Sequence, residues 1–84
     1  MEYVDGNAMA GMLQELFGVE MTIAVGVCAA CGNTGEVAAL HVYNRAPGAV
    51  LRCPTCESVL MRVVRGPDRT WLDLSGLRTL QIPV

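Results

Sequence analysis

The chain has 84 residues, 52% hydrophobic and 17% charged, which is enough for one compact core and too short for two. Its net charge of −2 opposes a general affinity for nucleic acid, which rests on a basic footprint. One histidine (His41), no lysine, and no Ser/His/Asp set or Gly-rich phosphate loop leave no catalytic constellation and no small-molecule chemistry.

The opening Met1-Glu2-Tyr3-Val4-Asp5 lacks the positive charge of a secretory signal, and the uncharged run Met21–Gly35 is only 15 residues long. Neither export nor a membrane span is expected, and the predicted compartment is the cytosol. Met9, Met12, Leu13, Leu16 and Phe17 recur at helical spacing, predicting an amphipathic helix over residues 5–17 with Asp5 as N-cap and Gly18 just past its end. Val19, Met21, Ile23, Val25 and Val27 then alternate with Glu20, Thr22, Ala24 and Gly26, the pattern of a strand leading to Cys28. Glu36–Tyr43 is compatible with a strand. Asn44–Gly48 has turn chemistry with Pro47-Gly48 at its centre, and Ala49–Cys53 returns as a strand. Ser58–Arg65 and Thr70–Leu74, joined by Gly66-Pro67-Asp68-Arg69, read as a tight hairpin, and a last short strand is expected near Leu77–Ile82. Residues 19–82 are thus β-rich.

A domain this small needs a staple beyond its core. Cys28-Ala29-Ala30-Cys31 and Cys53-Pro54-Thr55-Cys56, with 21 residues between them, supply one. Two C-x-x-C pairs in a reducing compartment point to one metal ion held by Cys28, Cys31, Cys53 and Cys56 rather than to disulfides. Each tight turn aims two sulfurs at one ion. Gly32 suits the positive φ that the chain needs after the first pair, whereas Glu57 stands at the corresponding place after the second. The short return from Gly48 to Cys53 implies that Gly32 to about Glu36 is loop.

This plan of knuckle, hairpin, knuckle and hairpin resembles the zinc ribbon superfamily over roughly residues 25 to 75. Tyr3-Val4-Asp5-Gly6-Asn7-Ala8, the two cysteine pairs, Arg45-Ala46-Pro47-Gly48 and Trp71-Leu72-Asp73-Leu74 are similar to a family of small actinobacterial proteins classed as a domain of unknown function. The resemblance spans nearly the whole chain. It implies a zinc ribbon and brings no assigned activity.

The expected fold is therefore a single small α+β domain over residues 1–84, a metal-stabilised zinc ribbon with an N-terminal amphipathic helix. The expected cofactor is one structural zinc ion, with a rubredoxin-like iron carrier as the alternative. The expected role is a non-enzymatic module contacting a protein partner or a second copy. The candidate surfaces are the stripe Met9, Met12, Leu13, Leu16 and Phe17 and the set Arg62, Arg65, Arg69 and Trp71. All six arginines follow residue 44, while residues 1–44 hold five of the eight acids. An arginine-bearing face for nucleic acid is thus the lesser alternative, opposed by a charge near −4 once four thiolates hold zinc. Trp71 is expected to pack in the core, and His41 to serve as a partly buried structural residue rather than a ligand.

Overall fold

The computed structural model describes residues 3–45 and 48–83. The chain opens with a short strand, β1 (Val4–Asp5), a 3-10 turn (Gly6–Met9) and the helix α1 (Ala10–Phe17). The expected helix therefore begins as a 3-10 turn. Asp5 caps that turn, its carboxylate accepting the Asn7 N–H at 3.1 Å. Gly18 ends the helix at φ 74, its N–H donating to the Gln14 carbonyl at 2.8 Å.

The strand expected over Val19–Val27 is shorter. Only β2 (Val25–Cys28) forms, and the preceding residues make a loop. The competing interaction is local: the Glu20 carboxylate accepts both the N–H and the hydroxyl of Thr22, and the Ala24 N–H donates to the Met21 carbonyl. The alternation is broken accordingly, with Met21 and Ala24 buried and Ile23 exposed.

β3 (Thr34–Glu36) replaces the expected loop after Gly32 and pairs antiparallel with β2, Gly26 opposite Gly35. A second 3-10 turn (Val37–Ala39) divides the stretch read as one strand, because the Val37 and Ala38 N–H groups donate to the carbonyls of Ala24 and Thr22. β4 (His41–Arg45), β5 (Gly48–Arg52), β6 (Val59–Arg65), β7 (Thr70–Asp73) and β8 (Leu77–Gln81) follow. Of the turn expected over Asn44–Gly48 and centred on Pro47-Gly48, Ala46 and Pro47 lie outside the described residues. Gly48 itself is a strand residue paired with Arg45, not a turn centre.

Among the described residues, the strands form two antiparallel sheets, one ordered β1-β4-β5-β6-β7 and the other β3-β2-β8. The period of two sorts the larger sheet cleanly. Val42, Ala49, Leu51, Met61 and Val63 face the core, with Met9 and Leu13 of the N-terminal segment, Met21 and Leu60 beside them. His41, Tyr43, Val50, Arg52, Arg62 and Val64 occupy the other face by register. Trp71 pairs with Val64 and so belongs to this outer face, where it is 54% exposed. The expectation that it packs in the core is thus corrected, and the cause is register: a one-residue shift exchanges the faces of a strand. Gly76, at the turn into β8, joins the sheets. Its carbonyl accepts the Ala29 N–H at 3.0 Å, and a Cβ there would collide with the carbonyl of Val59.

Candidate metal centre

Cys28 closes β2 and Cys53 follows β5, so each cysteine pair sits in the turn of its own hairpin, one per sheet. The two turns share one hydrogen-bond skeleton. In the first, the Cys28 N–H donates to the Asn33 carbonyl and the Gly32 N–H to the Cys28 carbonyl, both at 2.9 Å; in the second, the Cys53 N–H donates to the Ser58 carbonyl and the Glu57 N–H to the Cys53 carbonyl, again at 2.9 Å. Closing the skeleton takes the residue after each second cysteine into the left-handed region, Gly32 at φ 79 and Glu57 at φ 63. Gly32 adopts this without cost, and Glu57 does not.

The skeleton aims four sulfurs at one point. The Sγ atoms of Cys28, Cys31, Cys53 and Cys56 lie within 4.8 Å of one another, and the Cys28–Cys56 and Cys31–Cys53 separations are both 3.7 Å. A tetrahedron with metal–sulfur bonds of about 2.3 Å has edges of about 3.8 Å. The cluster is therefore near the size that a tetrathiolate site needs. Cys28 and Cys53 are buried, while Cys31 and Cys56 lie toward solvent.

The environment of the sulfurs is not uniform. The hydroxyl and backbone N–H of Ser58 bring the Cys56 thiol down to about 6. At Cys31 the Asn33 N–H acts in the same direction, but desolvation and the neighbouring thiols of Cys56, Cys53 and Cys28 outweigh it and push the thiol up to about 12. The Thr55 N–H points at Cys53 Sγ from 3.4 Å.

Glu57 is held in its left-handed conformation by three side chains. His41 Nδ1 lies 2.6 Å from its carboxylate, the Tyr43 hydroxyl donates to it at 3.1 Å, and Arg52 donates to its backbone carbonyl at 2.7 Å. Tyr3 stacks on the His41 ring at 3.8 Å between centroids, and the Arg52 guanidinium lies 5.6 Å from the centre of the Tyr43 ring. His41 thus supports the second turn and is not among the sulfur cluster. Its hydrogen bond, with those of Tyr43 and the charge of Arg52, lowers the Glu57 pKa below the ordinary 4.5. The stabilisation from this carboxylate is therefore present above the ordinary carboxylate range and is lost as pH falls through the lowered folded value. Glu57→Ala is expected to lower the urea midpoint of the metal-loaded protein more than Glu57→Gly does, because glycine removes the same hydrogen bonds but relieves the backbone. Equal midpoints would refute this division of roles.

A family model matches residues 1–84, the whole chain. The chain belongs to the family of unknown function DUF6510. Searches among curated proteins and among solved structures give no match. In this DUF6510 protein, the clustered cysteines are consistent with a zinc ribbon-like site.

The other candidate residues do not join the sulfur cluster. Met9 and Leu13 are sealed in the core, and Met12, Leu16 and Phe17 are partly buried against it, so the helical stripe is occupied by the protein's own interior. Arg62 stands opposite Asp73, Arg65 lies 3.9 Å from Glu15 and Arg69 lies 3.6 Å from Asp68. Each arginine of the set has an acid beside it. Asn33, Ser58, Tyr43, Arg52 and Tyr3, which support the cysteine turns, escape a reading based on ligand types. The signal for Tyr43, Arg52 and Tyr3 is the misfit of Glu57 at a glycine position, since a strained residue needs neighbours to hold it. Among the described residues, no helix is long and apolar enough to cross a membrane.

Proposed function

We propose that this protein is a non-enzymatic module of the zinc ribbon type, folded around one structural zinc ion on Cys28, Cys31, Cys53 and Cys56, and that it works by contacting other proteins. The observation that carries the reading is the equivalence of the two cysteine turns, each with the same hydrogen-bond skeleton and each giving two sulfurs to one cluster. Four thiolates complete a tetrahedral zinc shell and leave no position for water or substrate, as in structural rather than catalytic sites. Binding requires all four thiols as thiolates, so it releases protons and weakens as pH falls. A reducing cytosol is the compartment that keeps such thiols available.

Contact with protein rather than nucleic acid is favoured by the surface. Tyr3, Val4, Ile23, Trp71, Leu72 and Ile82 are exposed apolar or aromatic side chains, while the acids beside Arg62, Arg65 and Arg69 dilute a cationic face.

The test is elemental analysis of protein purified without added metal. About one equivalent of zinc per chain is expected. Less than about half an equivalent, or the visible absorption of a ferric tetrathiolate, would overturn the zinc assignment, and the latter would move the protein to the iron carriers.

A further inference from the structure

Among the described residues, β7 is the terminal strand of the larger sheet, with β6 on one side and no strand on the other. The hairpin fixes which backbone groups face that free edge. The Gly66 N–H donates to the Arg69 carbonyl at 2.8 Å, and the register continues Arg65 opposite Thr70, Val64 opposite Trp71, Val63 opposite Leu72 and Arg62 opposite Asp73. Because hydrogen-bonded and non-hydrogen-bonded pairs alternate in an antiparallel ladder, Trp71 and Asp73 direct their backbone groups toward β6. Those of Thr70 and Leu72 point outward.

We infer that this edge pairs with the same edge of a second copy of the chain, antiparallel about a two-fold axis at Trp71, so that two five-stranded sheets become one. In this register outward groups meet outward groups and both outward residues of each strand are used: Thr70 faces the partner's Leu72 and Leu72 the partner's Thr70, two reciprocal hydrogen-bonded pairs. Trp71 then meets the partner's Trp71 as a non-hydrogen-bonded pair, the closer of the two pair types for side chains. The charges agree with the same register. Arg69 comes opposite the partner's Asp73, and Asp73 opposite the partner's Arg69, so each copy supplies both members of the complementary pair. Asp73 also faces Arg62 on its own sheet, and would sit between two guanidinium groups.

The edge lacks most of the usual defences, and its one charged residue, Asp73, is answered by the partner's Arg69 in this register. Thr70-Trp71-Leu72-Asp73 contains no proline, glycine or lysine, and no register shift interrupts its pairing with β6. Trp71 and Leu72 are exposed on opposite faces, so pairing covers apolar surface on both. The other edges suit self-pairing less well. β1 has two residues and β3 three, and β8 carries Arg78 with no acid to answer it.

The inference names the partner within the protein-contact reading above, and its test separates the two. Trp71 is the single tryptophan, so its emission reports the interface directly. Sedimentation of the zinc-loaded protein should show a concentration-dependent dimer, with Trp71 emission shifting to the blue as it forms. Arg69→Asp should weaken the dimer about tenfold, since two attractive pairs become repulsive. Adding Asp73→Arg should restore most of the loss, and Trp71→Lys should abolish association. Zinc-loaded wild type that stays monomeric into the millimolar range, or a dimer indifferent to Arg69→Asp and Trp71→Lys, overturns self-pairing and leaves the metal reading intact. A folded sample without zinc overturns the metal reading instead.

Discussion

Cys53→Ser is expected to remove the fold together with the metal. Cys53 is fully buried, its Sγ is 3.7 Å from that of Cys31, and its backbone makes both closing hydrogen bonds of the second turn. Serine offers a poorer zinc ligand and leaves a hydroxyl in an apolar setting. Structural zinc in small peptide sites contributes about 10–16 kcal/mol, comparable with the roughly 5–15 kcal/mol that separates a folded domain from its unfolded chain. Losing one buried ligand therefore costs a large share of the total. The expected readout is collapse of amide chemical-shift dispersion in the variant, matched by wild type stripped with a chelator and reversed only in the wild type when zinc is returned. A Cys53→Ser variant that keeps native dispersion without metal would show that the core alone holds the fold.

The four-cysteine cluster is legible because its signal is local: two residues between cysteines specify a turn, and a turn specifies where two sulfurs point. The partners of each turn are not. The first knuckle reads as the start of an arm running to the Pro47-Gly48 turn, yet it closes on β3 at once and then takes β8 as its other neighbour. Pairing between Val25–Cys28 and Leu77–Gln81 joins opposite ends of the chain, and nothing in either segment encodes the other. The alternation across Val19–Val27 misled for a different reason, since a side chain two residues away, Glu20, offers Thr22 a better set of hydrogen bonds than a ladder would. Trp71 was readable in principle. Once Gly66 is set opposite Arg69, counting back along β6 places Trp71 opposite Val64 and on the face of Arg62. Glu57 marks the opposite case, in which the sequence departure from glycine was visible but its support from His41, Tyr43 and Arg52 depends on β4 lying beside β5.

Leu13→Ala is the second large effect, and it separates a helix that completes the core from one reserved for a partner. The five apolar residues of the stripe lie on one face by spacing alone, which leaves open what covers them. In the fold, Leu13 has no exposed surface and Met9 almost none, and they join one cluster with Met21, Val37, Leu51 and Met61. Truncating a fully buried leucine removes its transfer free energy and leaves a cavity whose walls relax only in part, a cost of about 2–5 kcal/mol. Leu16, which is only partly buried, should lose less on the same substitution, since part of its side chain already meets water. The expected result is a marked drop in the urea midpoint for Leu13→Ala and a smaller one for Leu16→Ala, measured on zinc-loaded protein. Self-association should keep its dissociation constant in both, because β7, whose edge pairs, contains neither residue. If Leu13→Ala instead left stability unchanged and weakened association, the stripe would be an interface and the cluster around it would need another occupant.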